Sequence, residues 1–303
     1  MTKFAFIEVN VGRIRQYDTA TPSTLPFLVH VAKDNIQGLA FTADKEFELI
    51  YGGGGREIRK TQGPLSEVPV YAHPSTISAV KVRSVNGKDR VYFSALKNPN
   101  QSGPQYYDIY YLGSGQVPSL YTTIDPTLLT MPNPCNPAGQ DWYWYSGDFV
   151  FGDNDTLYLS SGNLGDTTVG VYRMKNASAN SVSGAVQRIH LTEGPVQSLC
   201  FRSPHTLYFK RNNAVWKLDL STSPPTESLE GVIPLSDPNG YVSDLAEVGD
   251  GLPKPPWWTW ITTWHNLLFL AAQWIWQTGD ALQLRSLGRR ASRTPPAPPR
   301  AGP

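Results

Sequence analysis

Short apolar runs separated by polar turns recur along the first 250 residues, and two of them align without a gap. Asp148 to Ser160 reads DFVFGDNDTLYLS, and Ser198 to Lys210 reads SLCFRSPHTLYFK. Phe151 matches Phe201, Thr156 matches Thr206, Leu157 matches Leu207 and Tyr158 matches Tyr208. An apolar run, a turn and a second apolar run predict a β-hairpin. Similar starts fall near residues 37, 78 and 242. A period of roughly 40–50 residues with several short strands per unit predicts a propeller.

Taken in order, the pattern predicts strands over Lys3–Val9, Gly12–Asp18 and Phe27–Val31, then Gly38–Phe41, Phe47–Tyr51 and Arg56–Lys60. The next unit has Ser78–Val82, Arg90–Phe93, Tyr107–Leu112 and a strand ending near Ile124. Val169–Met174 and Val186–Leu191 complete the unit opened by Asp148. Ala214–Leu218 and Gly231–Leu235, with Pro234 suited to an edge, complete the one opened by Ser198. The first unit lacks an innermost strand, which the run at Val242–Ala246 supplies by pairing the two ends of the ring. The expectation is all-β: a β-propeller of four-stranded blades, five of them visible and a sixth only if the last 50 residues were strands.

The segments F-x-x-x-x-T-L-Y at Phe151–Tyr158 and Phe201–Tyr208, with I-R-Q-Y-D at Ile14–Asp18, resemble the broad group of TolB-like, NHL-like and gluconolactonase-like propellers over about residues 3–250. The resemblance implies the fold, and it covers binding modules and hydrolases alike. Gluconolactonase-like members hold a divalent metal through a glutamate, asparagines and an aspartate. Asp148 and Asp244, at equivalent inner-strand positions, are the residues offered for such a role; a glutamate–asparagine set is not found beside them. Calcium accepts oxygen ligands flexibly, so the cofactor expectation is none, or a divalent cation such as calcium held by these two carboxylates. Polar residues facing channel water explain the same pair.

Other chemistry is scarce. The chain has 26 Lys and Arg against 25 Asp and Glu, which gives no electrostatic footprint for nucleic acid. Gly52–Gly55 precedes a strand instead of a Lys-bearing helix, so it reads as a hairpin turn and not a phosphate cradle. Asp153-Asn154-Asp155 lacks the glycine and distal glutamate of a calcium loop and reads as a turn. The histidines form no close pair in sequence, and neither a G-x-S-x-G nor an H-E-x-x-H segment occurs. Cys200 sits in an apolar strand pattern and reads as a small core residue, whereas Cys135 lies in a Pro-rich stretch. The triplets at Asn100, Asn154 and Asn176 fit the glycosylation pattern but carry weight only on a secretory route.

Asp125–Tyr145 is a long connection rich in Pro and aromatic residues, and long loops in compact domains are often functional. Trp142, Tyr143, Trp144 and Tyr145 make it the candidate recognition surface, with packing between blades as the alternative. The expected organisation is a propeller over 1–250, a Pro-rich linker over 251–256, an amphipathic helix over 257–278 and a disordered basic Pro-rich tail over 279–303. Residues 257–276 hold six of the nine tryptophans and no charged side chain. Trp257, Trp260, Trp264 and Trp274 fall on one helical stripe, which suits a membrane interface, a packed helix or, less well, a span. The first residues, MTKFAFIEVN, do not form a secretory signal, so the expectation is a cytoplasmic protein, or a secreted one if a leader has been removed. Two functions from different classes follow. The first is a monomeric, non-catalytic binding module for a protein or glycan, with peripheral membrane contact through 257–278. The alternative is a metal-dependent hydrolase with its ion in the channel.

Overall fold

The computed structural model describes residues 3–8, 12–21, 26–32, 36–41, 49–53, 55–63, 66–96, 107–113, 117–124, 148–160, 168–175, 186–194, 196–202, 204–235 and 240–247. The aromatic segment 125–147 and everything after Glu247, including the helix and tail expected there, lie outside them.

The strands fall into five groups along the chain. Blade 1 begins with β1 (Lys3–Glu8), β2 (Arg13–Asp18) and β3 (Phe27–Val31). Blade 2 is β4 (Ile36–Phe41), β5 (Leu49–Gly53), β6 (Glu57–Gly63) and β7 (Ser66–Ala72). Blade 3 is β8 (Ile77–Val85), β9 (Lys88–Leu96), β10 (Tyr107–Leu112) and β11 (Pro118–Ile124). Blade 4 is β12 (Phe149–Phe151), β13 (Leu157–Ser160), β14 (Thr168–Met174) and β15 (Val186–Glu193). Blade 5 is β16 (Val196–Arg202), β17 (Thr206–Arg211), β18 (Ala214–Asp219) and β19 (Thr226–Val232), and β20 (Val242–Glu247) follows. Each blade is a four-stranded antiparallel sheet, and β20 completes blade 1 by pairing with β1, Phe6 opposite Leu245. The protein is therefore a β-propeller, and the described residues form five blades. Closing the ring with the two ends of the chain joins them through backbone hydrogen bonds and leaves no unpaired inner strand at the seam.

Two outer strands differ from their expected positions. The last strand of blade 5 is Thr226–Val232 and not Gly231–Leu235, so Pro234 lies beyond it; blade 2 gains Ser66–Ala72, which the apolar pattern does not reveal. Both are edge strands with many exposed positions, so they need few apolar residues. Pro69, exposed on β7, sits on an edge that has no donor to lose.

The core is divided among the seams. Five apolar clusters each join neighbouring blades, for example Tyr92, Ile109 and Ile124 of blade 3 with Phe149, Leu159 and Tyr172 of blade 4. Tight turns fix the hairpins. Asn154 and Asp155 both have positive φ, 54° and 57°, as do Asn86 and Gly87, 54° and 72°. Paired left-handed residues match the twist of the flanking strands, and Asn, Asp and Gly tolerate them. The acidic cluster 153–155 is therefore a hairpin turn.

Candidate functional site

The register assigns one residue per blade to the same channel-facing position. Ser198 pairs with Lys210 and Ala79 with Ser94 across the first two strands, while Asp148 meets Ser160 just before β12. Gly38 and Asp244 take the position in blades 2 and 1 as the residues that precede Leu39, paired with Tyr51, and Leu245, paired with Phe6; Gly38 is itself the bulged residue of its strand. Blade 3 thus presents Ala79, one residue beyond the Ser78 suggested by the sequence. A bulge at Ser78 shifts the register, and the Ser78 hydroxyl turns to the Ser94 hydroxyl at 2.8 Å.

Asp148 and Asp244, the two carboxylates expected in the channel, do converge. What they converge on is Lys81 of β8. Its ammonium lies 2.6 Å from Asp148 Oδ2 and 3.7 Å from Asp244 Oδ1, and donates to the Leu199 carbonyl at 3.2 Å. One side chain thereby touches blades 4, 5 and 1 from blade 3. All three ionisable groups are buried, Asp148 at 2% exposure, Asp244 at 4% and Lys81 at 6%. Backbone amides complete Asp148: Leu199 N–H donates to its Oδ2 at 2.7 Å and Phe149 N–H to its Oδ1 at 2.8 Å. Asp244 accepts from Leu245 N–H at 2.7 Å and from the Ser198 hydroxyl, and the Leu39 amide faces it. Lys210 of β17, 2% exposed, adds a second ammonium on the side of Asp244.

The electrostatics follow from this crowding. Burial depresses the Lys81 ammonium, but Asp148 and Asp244 outweigh it and hold the group charged, above its ordinary value. Burial raises the Asp148 carboxyl to about 7 against the pull of Lys81, with the charge of Asp244 adding to the rise. Asp244 is raised as well, again chiefly by burial. One close ammonium serves two carboxylates, so they compete for it and share the deficit as a tendency to keep a proton. Burial lowers Lys210 to about 8, partly offset by Asp244.

Among the described residues no three His, Cys, Asp or Glu side chains gather as a metal site would require. The position between Asp148 and Asp244 is taken by the Lys81 ammonium. Lys81 and Lys210 are the residues that sequence reasoning missed. A lysine within an apolar strand, as in Ala79-Val80-Lys81-Val82, reads as a solvent-facing position. The available signal was the aligned pair of hairpins, in which Lys210 takes the place of the buried Ser160. Trp142, Tyr143, Trp144 and Tyr145, and Trp257, Trp260, Trp264 and Trp274, lie outside the described residues. Cys200 is buried, as expected, its thiol 3.3 Å from the Leu245 carbonyl.

A second network, at the outer rim, also went unseen in the sequence. His30 on β3 reaches Glu67 on β7 at 3.2 Å, and Arg59 holds the other oxygen of Glu67 at 2.6 Å. Three blades on, His190 on β15 reaches Glu227 on β19 at 2.9 Å, with Arg211 at 2.8 Å. The spacing is 37 residues in both. Both histidines follow the bulged residue of a fourth strand, Val29 or Ile189, so one clasp geometry is used twice. The partners are far apart in the chain, and only the blade repeat could have linked them.

Comparison with known proteins adds no family to this picture: no family model matches the chain, and no curated protein does. Among solved structures, a protein of unknown function from Bacteroides caccae is similar at 9% identity over 75% of this chain and 72% of that one, with a TM-score of 0.43. A gluconolactonase from Xanthomonas campestris is similar at 12% identity over 79% and 89%, TM-score 0.40. The WD40 β-propeller domain of Doa1 is similar at 15% identity over 76% and 67%, TM-score 0.36.

Proposed function

We propose that this protein is a non-catalytic binding propeller that presents the segment 125–145, with Trp142, Tyr143, Trp144 and Tyr145, to a protein or glycan ligand. The observation that carries this reading is the channel. Catalysis by a channel metal needs carboxylates free to ligate and a position open to water or substrate. Here Lys81 already engages both carboxylates, and neither of them is more than 4% exposed. A ring whose central carboxylates are buried around its own lysine leaves recognition to its connections, the usual place for function on a rigid scaffold. Aromatic side chains supply large contact area at small entropic cost, and they suit both sugar faces and protein pockets.

The test compares the wild type with a variant carrying Trp142→Ala, Tyr143→Ala, Trp144→Ala and Tyr145→Ala. Both are applied to an immobilised glycan panel and to proximity labelling in cells, with the melting temperature as control. The reading expects one set of ligands lost by the variant at unchanged melting temperature. It fails if the ligand profiles coincide. It fails equally if the wild type hydrolyses sugar lactones in a manner that Asp148→Ala abolishes.

A further inference from the structure

The five seams of the ring are fastened unequally. At the channel, the side chain of one blade accepts an amide of the next. Leu199 N–H donates to Asp148 across seam 4/5 and Leu245 N–H donates to the Ser198 hydroxyl at 2.8 Å across seam 5/1; at seam 1/2 the Leu39 amide lies near Asp244 and adds to the electrostatic support of its carboxylate. The residues at this position in blades 2 and 3 are Gly38 and Ala79, and neither side chain can accept a hydrogen bond. Seam 2/3 closes through the backbone instead. A Cβ on Gly38 would lie 2.5 Å from Val80 N, and Ile77 N–H donates to the Gly55 carbonyl at 2.7 Å.

Among the described residues, seam 3/4 shows neither device. At the rim the His–Glu clasps bind seams 1/2 and 4/5, whereas the equivalent positions at seam 3/4 are Thr122 and Val186, which cannot form an ion pair. What spans seam 3/4 comes from side chains. Lys81, two residues beyond Ala79 on the same face, reaches Asp148, and Arg83 pairs with Asp155 while lying 5.0 Å above the Phe151 ring. Tyr92 and Tyr121 pack on that ring at 4.6 and 5.5 Å.

We propose that the ring opens at the seam between blades 3 and 4, with Lys81 as its latch and the Arg83–Asp155 pair as a second fastening. The apolar cluster of Ala79, Tyr92, Phe149 and Met174 keeps the closed form dominant, so the open form is a minor native state. Opening brings Lys81 and Asp148 to solvent and turns the sealed channel into an accessible polar cleft, while the four other seams stay shut.

Thiol reactivity reads each seam separately. Ala79→Cys places a buried thiol at seam 3/4, and the native Cys200, packed with Phe4 and Leu245, reports seam 5/1 in the same molecule. Labelling with an aromatic disulfide is followed by peptide mass spectrometry in a Cys135→Ser background, with rates normalised to the denatured chain. The expected result is that A79C reacts at least about tenfold faster than Cys200, and that Arg83→Ala widens the ratio several-fold. Met174→Cys, lining the same seam from blade 4, repeats the measurement should A79C fold poorly. The proposal is overturned if the seam 3/4 thiol and Cys200 react at one rate, or if R83A leaves their ratio unchanged.

Discussion

Lys81→Met removes the ammonium that Asp148 and Asp244 share and leaves a side chain of similar length in its place. The loss is a contact of 2.6 Å to Asp148, one of 3.7 Å to Asp244 and a hydrogen bond of 3.2 Å to Leu199. Breaking a buried pair by removing one partner costs about 3–5 kcal/mol, because the remaining charge stays buried. Protonation caps that cost. The cluster without Lys81 can neutralise one further carboxylate at about 1.4 kcal/mol for each pH unit above its unfolded value. With an unfolded value of 3.8, this sets a ceiling of roughly 4 kcal/mol at pH 7 and roughly 2 kcal/mol at pH 5. The sign is that of a raised carboxyl: the native variant binds more protons than the unfolded chain, so its stability falls as pH rises. Equilibrium urea unfolding, followed by tryptophan fluorescence at pH 5 and pH 7, measures the difference. Asp148→Asn in the K81M background keeps an acceptor for Leu199 N–H and removes the charge, so it should recover most of the loss. A K81M penalty below about 1 kcal/mol at pH 7, or one equal at the two pH values, would refute the reasoning.

Two further outcomes follow from the same geometry, and a third tests the tail expected from the sequence. Lys210 is depressed to about 8 from 10.5, so its burial penalty is present below pH 8 and disappears as pH rises toward 10.5. The stability advantage of Lys210→Met over the wild type, about 3 kcal/mol at pH 7, should shrink between pH 8 and pH 10 in denaturant titrations. Gly38→Ala sets a Cβ against Val80 N at a residue with φ of 83°, so it should destabilise by about 3 kcal/mol or more, read as a lowered melting temperature. Liposome co-sedimentation with phosphatidylserine-containing vesicles compares the full chain with residues 1–251. Binding lost on truncation is expected if the tryptophan stripe of 257–278 lies along a membrane surface, and equal partitioning speaks for a packed helix.

The blade spacing was legible because packing between blades demands apolar residues at fixed positions, as at Phe151 and Phe201, whatever the turns contain. Ring closure was legible for the same reason, since Val242–Ala246 repeats the inner-strand pattern. The outer strands Ser66–Ala72 and Thr226–Val232 were not, because an edge half in water places little constraint on its side chains. Asp148 and Asp244 could be picked out as channel residues from their repeat position. Their partner could not: Lys81 carries its charge more than 60 residues along the chain from Asp148, and only the closed ring brings them together. The clasps at His30 and His190 were hidden similarly, since each joins outer strands of neighbouring blades.

The account turns on Lys81 standing where a metal ion would, and metal titration tests that most directly. The wild type at pH 7 is titrated with calcium, magnesium, manganese and zinc in turn, with melting temperature and calorimetric heat as the readouts. The predicted result is no saturable heat, no rise in melting temperature and no loss of stability on chelation. A saturable stabilisation by any of these ions that Asp148→Ala and Asp244→Ala abolish would contradict it.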